Sequence, residues 1–404
     1  MRVLVLSSVF PNRIKPMFGV FVKERVRHIA EHCEVVVVAP VPWFPLNRWI
    51  RGYKGVDLPD VDRCEGLRVY HPRFLCIPLI GKCFDGVLYF LSLLWPIMRL
   101  RKSFRFDLID THFSYPDGVG GALLGKLLRT PVFITLRGTH DIRHAQSRLR
   151  RVQIIAALKS AETVICVSES LRRFGERIGI PRARLEVIAN GIDQSLFFPA
   201  NREAARKKLG LPEDATIVLA VGAMIEGKGH HRVIEILPEL IASHPKLIFV
   251  ALGDQGVDRS YHRHVEKFIE VHGLQEHVLL VPAQPHDEIP CWMNSADLFC
   301  LATRSEGRCN AILEALACGI PVVTTEVGGN GELIRDDLNG FLVPFWNKDS
   351  FQAALERALS KEWDCVAISE QARANTWNET AEHVVRQFRS IANSNSSPRM
   401  SMYS

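Results

Sequence analysis

Residues 305–323 read Ser305-Glu306-Gly307-Arg308-Cys309-Asn310-Ala311-Ile312-Leu313-Glu314-Ala315-Leu316-Ala317-Cys318-Gly319-Ile320-Pro321-Val322-Val323. Leu298–Leu301, just before them, is an apolar run of buried-strand length, and Pro321 opens a second one. The residues between predict a loop at Glu306-Gly307, a helix from about Arg308 to Ala317, and a stop at Gly319. That helix opens at the carboxyl edge of a parallel sheet, the edge at which such sheets bind ligands. The amides at the start of such a helix, here Arg308, Cys309 and Asn310, and its dipole suit a phosphate, the dipole alone contributing ~0.3–2 kcal/mol. Glu306 stands ahead of the helix and Glu314 within its second turn. Two carboxylates there repel an anion unless they face other groups, and sugar hydroxyls are natural partners. The plainer alternative is a capping Glu306 and a solvated Glu314.

Working outward, short β-rich runs alternate with helical segments along the whole chain. In the first half the strands are expected at Arg2–Val9, Glu34–Ala39, Leu67–His71, Leu108–Thr111, Val132–Leu136, Thr163–Val167 and Leu185–Ile188, with helices such as Val20–Glu31 and Gly118–Leu128. The second half repeats the plan with Thr216–Val221, Lys246–Ala251, Val278–Val281, Leu298–Leu301 and Pro321–Thr324. Continuous Val/Ile/Leu strands separated by helices signal parallel sheets covered on both faces, hence two doubly wound α/β domains. The expected division is 1–195, 196–375, a C-terminal helix at 376–392 that packs back on the first domain, and a disordered tail at 393–404. Asn-Gly at 190–191 and Pro199 break the pattern at the boundary. Beyond Asp349, Phe351–Leu359 and Ala367–Ile391 read as helices.

The net charge of +6 conceals a split: residues 1–200 hold 30 Lys+Arg against 17 Asp+Glu, and residues 201–404 hold 20 against 27. That polarity disfavours a nucleic-acid-binding protein and gives one half an affinity for anions or an anionic surface. The 10 cysteines form no Cys-x-x-Cys or Cys/His cluster, so a reduced, cytoplasmic protein without a structural metal site is expected. The chain opens on a strand-length apolar run ended by Pro11, too short for a signal peptide. The run Val87–Met98 has 12 residues where a spanning helix needs ~20.

A second anion-binding pattern occurs at Gly222–Gly229, where a strand end, a loop and Lys228-Gly229 at a helix start place a cation and free amides at one sheet edge. Gly19 follows the first strand and begins a helix, so its backbone can approach a ligand without Cβ obstruction. Asp60-Val61-Asp62 spells Asp-x-Asp but lies in a polar connection without a buried strand before it, which argues against a metal site.

Glu306-x7-Glu314 with Ala-Leu-Ala-Cys-Gly-Ile-Pro-Val-Val after it resembles the signature of the retaining glycosyltransferases of family 4, which have the GT-B fold. Phe18-Gly19, Asn190-Gly191-Ile192-Asp193 with Phe197, Val221-Gly222 through Lys228-Gly229, Gly253-Asp254-Gln255-Gly256, and Gly328-Gly329 with Glu332 and Asn339-Gly340 follow the same order over about 390 residues. The resemblance implies two Rossmann-like domains facing across a cleft, an N-terminal acceptor domain and a C-terminal donor domain. It implies a donor-sugar and catalytic role for Glu306, a ribose contact for Glu314 and a diphosphate contact for Lys228, with Gly19, Gly222, Arg308, Cys309 and Asn310 lining the donor site. The substrates implied are a nucleotide-diphosphate sugar and a glycan or lipid-linked acceptor, with no cofactor and no metal required. Two positions depart from the family. Ala223 stands where many members carry arginine, leaving Arg232 or Arg304 to compensate, and Arg137 stands where many carry histidine. In Thr135-Leu136-Arg137-Gly138-Thr139-His140-Asp141, Arg137 can bind phosphate or carboxylate bidentately, and His140 approaches the same cleft. His112, past the end of the strand from Leu108, is a further cleft candidate; Asp141 and Arg143 are candidates on the acceptor side, Asp141 alternatively as a helix cap.

Trp43-Phe44-Pro45-Leu46-Asn47-Arg48-Trp49-Ile50-Arg51-Gly52-Tyr53-Lys54 interleaves aromatics with cations, and Phe74–Lys102 adds an apolar segment with a basic end. Together they suggest peripheral contact with an anionic membrane on its cytoplasmic face. Competing functional classes are a GT-B nucleotide-sugar epimerase, which releases free sugar without an acceptor, and a non-catalytic nucleotide-sugar-binding protein.

Overall fold

The computed structural model describes residues 1–44, 58–77, 79–256 and 258–396. The chain divides into two compact units, one formed by Met1–Gly191 with the C-terminal segment from Trp377, the other by Ile192–Thr376.

In the first unit eight strands form one sheet in the spatial order Leu185–Val187, Thr163–Cys166, Val132–Leu136, Leu108–His112, Arg2–Leu6, Glu34–Val38, Leu67–Tyr70, Val61–Cys64. Every neighbouring pair is parallel except the last, an antiparallel edge. Period-2 alternation loads both faces. Leu4 and Leu6 enter a core with Tyr89, Leu93 and Ile97 of the helix Asp85–Ser103. Val3 and Val5 enter another with Val22 and Val26 of the helix Val20–Ile29. Full burial of each such side chain stabilises by roughly 1.5–3 kcal/mol.

The second unit has a six-stranded sheet, all parallel, in the order Val278–Pro282, Leu247–Gly253, Thr216–Val221, Leu298–Leu301, Val322–Thr325, Gly340–Val343. Ile217 and Leu219 face one core, Val218 and Ala220 the other. Both sheets are thus the doubly wound kind expected from the sequence.

The segment Ala367–Ile391, read as one helix, is two: Cys365–Arg373 and Trp377–Ser396. The break falls where the chain returns to the first unit. There the Ile192 amide donates to the Asn375 carbonyl at 2.9 Å, and residues 192 and 376 form an isolated bridge. The last helix then packs Ala381, Val384, Val385 and Phe388 against the first unit's core, with Phe388 edge-on to Phe133 at 4.6 Å. It continues to Ser396, four residues into the stretch expected as a tail; 397–404 lie outside the described residues. Most of the aromatic-basic stretch Trp43–Lys54 lies outside them as well. Among the described residues no helix is long and apolar enough to cross a membrane.

Each sheet has one point where strand order reverses. In the first unit it lies between Arg2–Leu6 and Leu108–His112; in the second, between Thr216–Val221 and Leu298–Leu301. Loops leaving the carboxyl ends of such a strand pair diverge and leave a crevice, the usual ligand position in open α/β sheets.

Candidate functional site

At the second unit's reversal, the loop after Val221 carries Gly222–Gly229 and the loop after Leu301 carries Ala302–Cys309. The two are stitched together. The Arg304 amide donates to the Gly227 carbonyl at 2.8 Å, and Thr303 Oγ1 lies 2.9 Å from the same carbonyl. Gly229 has φ +80°, and a Cβ there would sit 1.9 Å from the Ala302 oxygen, so only glycine permits the approach. Gly328 meets the Glu306 carbonyl just as closely, at 1.8 Å for a built Cβ, and Gly329 N donates to Gly307 O at 3.0 Å.

This stitching holds Lys228 Nζ 2.7 Å from Glu306 Oε1, with Thr303 Oγ1 3.0 Å from the same oxygen. Both charged side chains are largely but not fully covered, at 25% and 11% exposure. Burial works against the Lys228 ammonium, yet Glu306 and then Cys309 outweigh it and hold the lysine pKa above its usual value. Burial, then Glu306, pushes the Cys309 thiol up to about 12, so it stays protonated. Cys309 is the residue before the helix Asn310–Ala317, whose start is therefore two residues later than the expected Arg308. The start of that helix sits beside the Lys228–Glu306 pair in sequence and space, with the Ile312 amide directed at the Cys309 thiol. Arg308 is half-buried, burial lowering its pKa against the attraction of Glu332. Glu314, one turn into the helix, has its Oε1 3.4 Å from His286 Nε2.

Of the two arginines considered for the place left by Ala223, both bind Glu226. Arg232 is buried, bonded to Glu226 and to the Ala302 carbonyl at 2.9 Å; Arg304 Nη2 lies 2.9 Å from Glu226 Oε1. Arg232 is fixed as a structural clamp, whereas Arg304 keeps an exposed side chain. Thr303, His286 and Glu226 escaped the sequence reading, because isolated polar residues in loops carry no spacing signal.

In the first unit, the reversal gathers His112, Arg137 and Asp141. His112 ends its strand instead of following it, and is completely buried. Arg137 Nη2 donates to His112 Nδ1 at 2.8 Å and Nη1 to Asn190 Oδ1 at 2.8 Å. With Nδ1 accepting, the network assigns the ring proton to Nε2, 3.5 Å from Asp110 Oδ2. Burial, then Arg137 and Arg25, drives the His112 pKa well below its ordinary value, so the ring is neutral. Asp141 is buried with one oxygen accepting the Ser114 amide at 2.6 Å and the other the Arg137 and Gly138 amides at 2.7 and 3.0 Å. The hydrogen bonds observed are those of the capping alternative: three backbone amides hold the Asp141 carboxylate. His140 and Arg143 are exposed on the short helix Thr139–His144, His140 edge-on to Phe113 at 6.2 Å. Gly19, at φ +80°, has the Val9 carbonyl 2.6 Å from a built Cβ, so the turn itself demands glycine. Asp62 of the Asp-x-Asp lies on the edge strand and binds Arg13 at 3.0 Å. Among the described residues no group of three or more His, Cys, Asp or Glu side chains is placed to hold a metal ion.

The sequence matches two family descriptions in tandem, Glycosyltransferase Family 4 over residues 19–196 and Glycosyl transferases group 1 over residues 201–375. A Bacillus subtilis glycosyltransferase assigned to teichuronic acid biosynthesis is 28% identical over 346 residues, covering 82% of this chain and 83% of that protein. Among solved structures, the sucrose-phosphate synthase of Thermosynechococcus elongatus superposes with a TM-score of 0.78 at 18% identity, covering 98% of this chain and all of that one (100%). HepE of Anabaena, in complex with UDP, gives 0.73 at 19% identity over 96% of this chain and 100% of that one. With both halves matched in order and both sheets of the doubly wound kind, the chain belongs to glycosyltransferase family 4 and has the GT-B architecture.

Proposed function

We propose that this glycosyltransferase transfers a hexosyl group from a nucleotide-diphosphate sugar to a hydroxyl of a glycan or lipid-linked acceptor, with retention of anomeric configuration and without a metal ion. The observation that carries this reading is the Lys228–Glu306 contact at the sheet reversal, beside the helix start at Cys309–Asn310. The diphosphate binds there, and the charge that grows on it as the glycosidic bond breaks meets the Lys228 ammonium and backbone amides already in place. A preorganised cation and helix amides can do the work that a divalent ion does elsewhere.

Retaining glycosidases use a close carboxylate as a nucleophile. Here Oε1 of Glu306 is engaged by Lys228 and Thr303, which lowers its nucleophilicity and suits it to orienting sugar hydroxyls and steadying positive charge at the anomeric carbon. The acceptor hydroxyl attacks from the face the diphosphate leaves, and the departing phosphate oxygen takes its proton. Glu314 holds the ribose, with His286 beside it. The basic first half of the chain serves the acceptor. The free cysteines suit the cytoplasm, and the teichuronic relative suits assembly of a cell-surface polysaccharide or glycolipid.

Thermal shifts against UDP-, GDP- and ADP-sugars test the donor; a true donor at 100 times its Kd raises unfolding free energy by about 2.7 kcal/mol. Proton NMR of the product from the responding donor then reads the anomeric configuration. Inversion, or free sugar formed regardless of acceptor, contradicts the proposal.

A further inference from the structure

We propose that the exposed faces of the helices Asp85–Ser103 and Arg148–Ser160 form a docking surface for an anionic lipid bilayer. The first helix is apolar on two opposite sides. Tyr89, Leu93, Ile97 and Leu100 fill the core of the first unit. Opposite them Phe84 at the helix entry, then Val87, Leu91, Trp95 and Met98, recur at intervals of three or four and stand in solvent, Leu91 56% and Trp95 69% exposed. A globular protein has no internal reason to keep such a stripe wet. The stripe runs on into cations: Arg99 lies 5.5 Å over the Trp95 ring, and Lys102 follows one turn later, also exposed.

The second helix extends the patch. Gln153 Nε2 donates to the Cys83 carbonyl at 2.8 Å, which sets this helix against the entry of the first. Leu149 and Val152 are 63% and 69% exposed on it, each directly after an exposed arginine, Arg148 and Arg151.

Charge selects the occupant. The two helices carry Arg99, Arg101, Lys102, Arg148, Arg150, Arg151 and Lys159 against a single carboxylate, Asp85, which is buried. A stripe of large apolar side chains edged by cations with no exposed anion matches the boundary between acyl chains and anionic headgroups, Trp95 suiting the interfacial level. The inference stands on this surface alone and does not depend on the donor or acceptor of the reaction.

The test is flotation of the full chain with vesicles of phosphatidylcholine alone or mixed with phosphatidylglycerol, at low and high salt. Retention is expected on the anionic vesicles and declines as salt screens the attraction. Leu91→Ser with Trp95→Ser reduces partitioning by about tenfold or more, and Arg99→Glu with Lys102→Glu by at least roughly thirtyfold. Melting temperatures of the variants confirm folding; should the first pair melt early, Leu149→Ser with Val152→Ser repeats the test from the second helix. Absence of wild-type retention on anionic vesicles overturns the proposal, as do folded variants that bind like wild type. Sedimentation provides a further check: a wild-type dimer that becomes monomeric in the Leu91/Trp95 variant assigns the surface to a second copy of the chain and also overturns it.

Discussion

Lys228 Nζ and Glu306 Oε1 lie 2.7 Å apart, although 78 residues separate them in the chain, because two loops leave one strand reversal side by side. In the proposed reaction this pair holds a cation ready for the leaving diphosphate, with its charge balanced by Glu306 until the donor binds. Lys228→Ala leaves Glu306 without its partner in a largely covered position, so the variant loses up to about 3 kcal/mol of stability. Its kcat/KM falls by about a hundredfold to a thousandfold, the cost typical of losing one preorganised group at a developing negative charge. Urea unfolding together with steady-state kinetics checks both numbers, and an active Lys228→Ala enzyme removes the diphosphate contact from the account.

The role proposed for Glu314 is in donor binding. Glu314→Ala should raise the donor KM by roughly tenfold while kcat changes little, since a ribose contact is made equally in ground and transition states. Kinetics over a range of donor concentrations separates the two parameters. A fall in kcat at unchanged KM moves Glu314 out of the ribose role.

Ala223 leaves a short side chain at the loop where the family resemblance implies an arginine, and Arg232 is committed to Glu226 and the Ala302 carbonyl. Installing a guanidinium by Ala223→Arg adds a charge-assisted bond to the diphosphate and should tighten nucleoside-diphosphate binding by about tenfold. Calorimetric titration reads this directly. Unchanged affinity means that the diphosphate does not pass this loop.

Asp117 gives a pH test of the first unit. Burial pushes its pKa up to about 6, against the pull of hydrogen bonds from Ser8 and from Tyr89 Oη at 2.8 Å. The raised native pKa means that the folded chain binds this proton before the unfolded chain, whose pKa is about 3.9. Stability from this group is therefore present below about pH 4 and lost as pH rises through about 6, by about 3 kcal/mol in all. Asp117→Asn keeps the geometry and removes the titration, so its urea midpoint should fall less than that of wild type between about pH 4 and pH 7. Parallel midpoint curves for the two proteins contradict the assignment.

The buried strands were legible because parallel sheets covered on both faces write continuous apolar runs: Val132–Leu136, Thr216–Val221 and Leu298–Leu301 match the observed strands residue for residue. The edge strand Val61–Cys64 was not, since neither of its faces is buried: Val61 and Arg63 are exposed on one and Asp62 and Cys64 are only partly covered on the other. The single helix expected at Ala367–Ile391 hid a break that depends on a distant partner, the Ile192 amide. At the candidate site, the places of Glu306 and Lys228 were readable because each lies in a strand-loop-helix pattern, while the roles expected of Glu306, Glu314 and Lys228 came from the family resemblance. Thr303, His286 and Glu226 were not, because only the packing of one loop on another makes them neighbours. The same limit applied to Asp141, whose three amide partners belong to two different turns.

Glu306 is the centre of the account, and Glu306→Gln tests it most directly. The amide keeps the size of the carboxylate and can still accept a hydrogen bond from Lys228 or Thr303, but it cannot steady positive charge at the anomeric carbon. The measurement is the single-turnover rate of donor consumption with saturating acceptor, on protein whose melting temperature is within a few degrees of wild type. A rate lowered by about a thousandfold or more, with donor still bound, is the predicted result; turnover within a few-fold of wild type contradicts it.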